Sequence, residues 1–301
     1  MEKSSPKHSE LVSRLALGTA QFGLDYGIAN KSGRVSNAEI VTILDVCAFN
    51  GIDVLDTAIA YGGSESSLGN VGVDKFNIVT KLPKLPKGCI EIANWVQDEV
   101  FASLKRLGVS KIYGLLFHHS QDLIGQFGPQ LYDAMQALKE HGFVEKIGVS
   151  IYTPQEMDRI LKRFSLDIVQ APLNLVDRRL VDSGLLSRLK EFGIEVHIRS
   201  IFLQGLLLLN PADIPPQFHR WNDLWRVWNN WLKDVKLTPV EACLAYPLSL
   251  KGIDRIIVGA DNSEQLLQII ELVEKIQTLD ELPSISSTCE DLINPSRWKS
   301  R

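Results

Sequence analysis

The sequence predicts an α/β protein folded as a single-domain (β/α)8 TIM barrel, and three observations lead there. Short β-branched runs alternate with amphipathic helical stretches along the chain, eight such runs can be counted, and no Gly-x-Gly-x-x-Gly fingerprint follows the first of them. An open doubly wound sheet usually has about five or six strands and carries that fingerprint after its first strand, whereas eight strand and helix units close a barrel.

In chain order the strands are Leu15-Ala16-Leu17-Gly18, Asp53-Val54-Leu55-Asp56, Phe76-Asn77-Ile78-Val79-Thr80-Lys81, Ile112-Tyr113-Gly114-Leu115-Leu116-Phe117, Glu145-Lys146-Ile147-Gly148-Val149, Ile168-Val169-Gln170, Ile194-Glu195-Val196-His197-Ile198 and Ile256-Ile257-Val258. After the first, Ser36-Asn37-Ala38-Glu39 has the spacing of a capping box. Ile40, Ile43, Leu44, Cys47 and Ala48 then line one helical face, and Gly51 supplies the stop. Thr153-Pro154-Gln155-Glu156 starts the helix after the fifth strand, and Thr238-Pro239-Val240-Glu241 starts the one before the eighth. In both, Thr caps, Pro takes the first helical position and Glu reaches back. The stretch Asn210 to Gln217 holds Pro211, Pro215 and Pro216 and is too proline-rich for a helix, which predicts a functional loop after the seventh strand. Trp221, Trp225, Trp228 and Trp231 follow at spacings of 4, 3 and 3. Such stripes usually pack against a core or a partner subunit, the other reading being a lid or substrate wall. No linker divides the chain, so residues 1–301 are expected to form one domain, with an ordered core from about 12 to 277 and a tail beyond.

Composition narrows the function. With 45% hydrophobic and 23% charged residues the chain is an ordinary globular one, not a disordered or collagen-like protein. The run Gly205-Leu206-Leu207-Leu208-Leu209 stops at Asn210, far short of the roughly 20 residues that a membrane span needs. The start Met1-Glu2-Lys3-Ser4-Ser5-Pro6-Lys7 lacks the apolar stretch of a signal peptide, so a cytoplasmic protein without a membrane partner is expected. A net charge of -4 with dispersed Lys and Arg argues against a nucleic-acid partner. Cys47, Cys89, Cys243 and Cys289 form no Cys-x-x-Cys pair and have no histidine at ligand spacing, so neither a metal site nor a disulfide framework is expected. Cys47 and Cys243 lie in apolar helical patterns and read as buried small hydrophobes.

In a barrel of this kind the active site is built at the carboxyl ends of the strands. Asp56 ends the second strand, Tyr61 follows in Asp56-Thr57-Ala58-Ile59-Ala60-Tyr61-Gly62, Lys81 ends the third and His118 follows the fourth. A phenol near pKa 10 is a poor acid at neutral pH, and a neighbouring Lys would lower that value while an Asp held the Lys charged and in place. His119 is a rival to His118, but strand alternation puts 112, 114, 116 and 118 on one face, with Gly114 and Leu116 suited to a barrel interior.

These residues, with Gly18-Thr19-Ala20-Gln21-Phe22-Gly23, Ser64-Glu65, Thr80-Lys81, Leu116-Phe117-His118, Gly148-Val149-Ser150, Gln170 with Asn174, and Ser200 followed by Gly205-Leu206-Leu207, resemble the aldo-keto reductase superfamily over nearly the whole chain. The resemblance implies a nicotinamide-dependent oxidoreductase that reduces an aldehyde or ketone to an alcohol. Tyr61 would be its general acid, Lys81 and Asp56 the pair that sets its pKa, and His118 the donor that orients the carbonyl oxygen. It further implies that Ser150 and Gln170 hold the carboxamide, Ser200 and Gly205 belong to the loop over the pyrophosphate, and Gly259 begins the segment meeting the adenosine phosphate, with Gly18, Thr19, Asp261 and Gln265 also at the cofactor. The substrate expected is a small carbonyl compound, a polar sugar-derived one among the options. Whether the chain is a monomer or a homo-oligomer is left open. The rival of another class is a non-catalytic barrel that binds the cofactor as a redox sensor.

Three positions depart from the family pattern. Ile151 stands where an Asn commonly helps to grip the carboxamide. Arg199 stands where an aromatic usually faces the nicotinamide; a guanidinium plane stacks as well, but it adds a positive charge. Asp261 stands where related enzymes often present Arg or Lys to the 2′-phosphate of NADP, and an acidic residue there suits the free ribose hydroxyl of NAD. With Lys251 and Arg255 near in sequence, NADP(H) is slightly favoured over NAD(H).

Overall fold

The computed structural model describes residues 10–28, 33–276, 279 and 281–298. Eight parallel strands close a barrel in chain order: β1 (Leu15–Gly18), β2 (Val54–Asp56), β3 (Asn77–Leu82), β4 (Ile112–Phe117), β5 (Val144–Ser150), β6 (Ile168–Pro172), β7 (Glu195–Arg199) and β8 (Arg255–Gly259), with β8 pairing back onto β1. Each lies within two residues of the run that the sequence pattern assigns to it.

Period-two alternation divides the side chains between two layers. One set points outward into a large core shared with the surrounding helices. The other fills the barrel with Ala16, Val54, Val79, Leu116, Ile168 and Ile257, a compact apolar plug. Above it, at the carboxyl ends of the strands, the inward positions turn polar. Gly148 in β5 has no room for a side chain: a Cβ there would lie 2.1 Å from the carbonyl oxygen of Ile168.

The helix starts behave largely as their spacing implies. Thr238 accepts from the Glu241 amide while the Glu241 carboxylate accepts from the Thr238 amide and hydroxyl. Glu156 accepts from the amides of Tyr152 and Thr153. At Ser36 only half of the expected box forms. The hydroxyl accepts from the Glu39 amide, but the Glu39 carboxylate instead accepts from the Ser263 amide, because the helix Ser263–Glu274 starts beside it. A helix N-terminus with its free amides competes well for a carboxylate.

Two expectations need correction. The proline-rich stretch is not wholly irregular: it winds into short 3-10 turns, Pro211–Asp213 and Pro216–Trp221, in which proline takes an early position where its missing N–H costs nothing. Nor does the packed chain stop near 277. Residues 281–298 lie against the segments after β6 and β7, where Arg179 pairs with Asp177 and Glu290, Arg178 donates to the Pro283 carbonyl at 2.6 Å, the Phe218 and Trp298 rings meet, and Leu292 and Ile293 are buried. Cys47 and Cys243 are buried as expected, and burial raises the Cys47 thiol to about 12, which leaves it inert.

Candidate active site

The inward side chains at the ends of β2 and β3 meet first. Lys81 Nζ donates to both carboxylate oxygens of Asp56, each at 2.8 Å, and to the Thr57 carbonyl at 2.7 Å, which engages all three ammonium protons. Lys81 is 1% exposed and Asp56 4%, so the pair is an ion pair out of water. Gln170, inward on β6, donates Nε2 to Asp56 at 2.6 Å. That bond fixes the amide and leaves its Oε1 buried without a partner.

The loop carrying Tyr61 is clamped on both sides. Its backbone amides at Thr57 and Ile59 donate to the carbonyls of Val79 and Lys81 on β3. Ser64 bridges to β1 by donating to the Thr19 carbonyl at 2.8 Å, and Glu65 accepts from Thr80, Ser103 and Arg106, pinning the helix Ser64–Val71 that follows. The β1 loop presses so closely that a Cβ on Gly23 would sit 1.8 Å from the Tyr61 carbonyl, and Gly62 turns the chain at φ 55°. Tyr61 is thereby held with its ring edge-on to His118, centroids 5.7 Å apart. His118 faces inward and His119 is exposed, as strand alternation implies.

Burial raises the Tyr61 phenol well above its ordinary value, the Asp56 carboxylate adds to the rise, and the Arg199 guanidinium opposes it. Lys81 was expected to lower that pKa. In the structure all three of its protons are engaged by Asp56 and Thr57, and Nζ stands 5.2 Å from the ring centroid. Burial, reinforced by Lys81, His119 and Arg199, drives the His118 imidazole down to about 3, so it is neutral throughout the physiological range.

A cavity of about 420 Å³ runs from this cluster across the top of the barrel, lined among others by Gly18, Thr19, Asp56, Tyr61, Arg199, Ser200, Gly205, Gly259, Asp261 and Gln265. Lys81 and Gln170 lie beneath its floor, bonded to Asp56, and Ser150 is beside Gln170 in the β5–β6 register. The loop after β7 forms one wall. Ser200, Leu203, Gln204 and Gly205 all have positive φ there, a strained path of the kind found at ligand clamps. Asn174 ties it down by donating to the Ser200 carbonyl at 3.0 Å. Two indoles prop it from behind, Trp228 donating to the Leu207 carbonyl and Trp225 to that of Phe218. The tryptophan stripe therefore packs the wall from outside, although Trp221 stands just ahead of the helix Asn222–Val235.

The residues fit a nicotinamide dinucleotide. Gln170 Oε1 is an orphaned acceptor at the reactive end. At Gly259 a Cβ would meet the Gln21 side chain at 2.3 Å, and at Gly18 it would lie 3.0 Å from Ile257, so both glycines keep the floor low. One expectation fails on position. Arg255 opens β8 at the opposite end of the barrel, bonded to the Ser13 carbonyl and paired with Asp53, and Lys251 precedes it. Four residues of strand, roughly 13 Å, separate that end from Gly259, so neither cation reaches Asp261. Burial raises the Asp261 carboxyl while a hydrogen bond from Gln21 opposes the rise.

Sequence reasoning singles out no role for Gln21, Tyr26, Tyr152 or Gln204. Gln204 donates to the Tyr26 hydroxyl at 3.3 Å and its carbonyl accepts from the Ile28 amide, joining the β1 and β7 loops at the cavity. The only available signal was a tyrosine among glycines after a strand. Among the described residues no group of His, Cys, Asp and Glu is placed to hold a metal ion, and no helix is long and apolar enough to cross a membrane.

The chain is similar to several known proteins. It is 28% identical over 187 residues to the NADH-specific methylglyoxal reductase of Escherichia coli, a match covering 57% of each protein. It is 24% identical over 307 residues to the L-galactose dehydrogenase of Arabidopsis thaliana, covering 94% of this chain and 91% of that one. The solved holo form of an aldo-keto reductase from Bacillus halodurans superposes with a TM-score of 0.70 at 21% identity, covering 88% of both chains. The family model described as "Aldo/keto reductase family" matches residues 14–287, a span that takes in every barrel strand and the cluster around Tyr61, and the chain belongs to that family.

Proposed function

We propose that this protein is a nicotinamide-dependent reductase of an aldehyde or ketone, with Tyr61 giving its phenolic proton to the carbonyl oxygen. The observation that carries the reading is the Asp56, Lys81, Tyr61 and His118 cluster, of which Asp56 and Tyr61 line a cavity of about 420 Å³. The reduced cofactor, when bound, supplies the hydride. The chain's own residues do the rest. A phenol raised by burial keeps its proton at neutral pH and is in the donor state that carbonyl reduction needs. Neutral His118, edge-on to Tyr61, offers a hydrogen-bond donor to the same oxygen without adding a second charge. The Asp56 and Lys81 pair, braced by Gln170 and Thr57, holds the floor beneath Tyr61 rigid. Ser150 and the free acceptor of Gln170 would hold the carboxamide, and the strained loop from Ser200 to Gly205 would cover the pyrophosphate.

For the cofactor we assign NADH. The support is Asp261 at the far end of the cavity, with no Lys or Arg among the lining residues there, and a relative named as NADH-specific. The substrate class we assign is a polar, hydroxylated carbonyl compound, because the phenols of Tyr26 and Tyr61 line the cavity, the His118 imidazole stands edge-on to Tyr61, and one relative is named for a sugar.

The test is Tyr61→Phe, which keeps the ring and its packing but removes the transferable proton. Carbonyl reduction should fall by about 10² or more in kcat/KM, while NADH affinity stays within about twofold. Near-normal turnover in this variant refutes the role of Tyr61, and saturable NADH binding without turnover by the unaltered protein on a broad carbonyl panel favours the sensor reading.

A further inference from the structure

Arg199 has a charge that nothing in the site cancels. It ends β7 on the inward side and lines the cavity with Tyr61 and Asp56. Its guanidinium donates to the Ile151 carbonyl at 3.0 Å, lies 3.4 Å from the Ser200 hydroxyl and stacks over the Tyr152 ring at 4.5 Å. All three partners are neutral, and among the described residues Arg199 makes no ion pair. The other charges nearby do not help. Asp56 is occupied by Lys81, and Tyr61 and His118 are uncharged at neutral pH. The reactive end of the cavity thus has a net charge of about +1, held in place by packing against Tyr152.

The strand register indicates what that charge faces. Gln170 on β6, with its orphaned acceptor, is paired with His197, and Arg199 is one inward step further along β7, directly paired with Pro172. A carboxamide held at Ser150 and Gln170 therefore has its ring within reach of Arg199. The reduced ring is neutral and the oxidised ring is a cation, so the two states differ by one unit of charge beside a fixed guanidinium.

We propose that Arg199 makes this site discriminate between the redox states of its cofactor, holding the reduced form and expelling the oxidised one; the inference rests on the nicotinamide reading above. Cation–cation repulsion in a half-exposed site corresponds to about a tenfold change in relative affinity. The functional consequence is directional. Oxidised cofactor leaves readily after each reduction and inhibits weakly as a product, so the protein works as a reductase even where oxidised cofactor is abundant.

The experiment is a pair of calorimetric titrations of the full chain, with NADH and with NAD⁺, on the unaltered protein and on Arg199→Met and Arg199→Lys. The Kd ratio of oxidised to reduced cofactor should fall by about tenfold in Arg199→Met and be largely retained in Arg199→Lys. A second measurement needs no variant: because the pyrophosphate is common to both ligands, the ratio itself should narrow in the unaltered protein as NaCl is raised. If NADH binds but the ratio is the same with and without the Arg199 charge, or is insensitive to salt, the inference fails and the cofactor reading stands. If neither form binds, both fall together.

Discussion

Replacing Lys81 by Met tests whether the Asp56 and Lys81 pair is the structural keystone of the site. The substitution keeps an unbranched side chain of similar length and removes the charge with three hydrogen bonds of 2.7 to 2.8 Å. Asp56, 4% exposed, is left with Gln170 as its remaining side-chain donor. Removing one partner of a buried ion pair costs about 3–5 kcal/mol, chiefly because the other charge stays behind unpaired. We expect a loss of about 4 kcal/mol; with a urea slope of roughly 3 kcal/mol per M, the midpoint moves down by about 1.3 M. The double variant Asp56→Leu/Lys81→Met has no stranded charge and should recover at least about 2 kcal/mol of that loss. Urea unfolding followed by the fluorescence of the six tryptophans reads both values. A single variant losing under about 1 kcal/mol, or a double variant no more stable than the single, would refute the idea that an uncompensated buried carboxylate dominates.

Further expectations follow from the same geometry. With His118 near 3 in the fold and about 6.5 in the unfolded chain, the stability it contributes is complete above pH 6.5 and is lost as pH falls towards 3, on the order of 2–4 kcal/mol; His118→Gln should flatten an acid-unfolding profile over that range. Asp261→Arg should shift the NADPH to NADH affinity ratio towards NADPH by roughly 1 to 3 kcal/mol, and an unchanged ratio in paired titrations places the 2′-position elsewhere. Gly148→Ala sets a methyl 2.1 Å from the Ile168 carbonyl oxygen, so it should cost about 3 kcal/mol in the same urea assay; a neutral result means that β5 and β6 can part more easily than their pairing implies.

The barrel was legible because its signals are local. Eight β-branched runs, the Thr-Pro-x-Glu helix starts at 153 and 238, and alternation at 112–118 that points His118 inward each depend on a few adjacent residues, and the structure keeps all of them. The cluster of Asp56, Tyr61, Lys81 and His118 could be anticipated because strand ends in a closed barrel must converge. What sequence could not supply was the length of β8 as a separation in space: Arg255 is six residues from Asp261 in the chain but on the other end of the barrel. Nor could it show that Glu39 would leave its own capping box for the amide of Ser263, 224 residues away, or that residues 281–298 return to the segments after β6 and β7. The charge balance of the site belongs to the same class. Lys81 and Arg199 look alike as letters, but burial against Asp56 neutralises one and stacking on Tyr152 leaves the other unpaired, because electrostatic strength depends on distance and solvent exposure, which only the folded chain fixes.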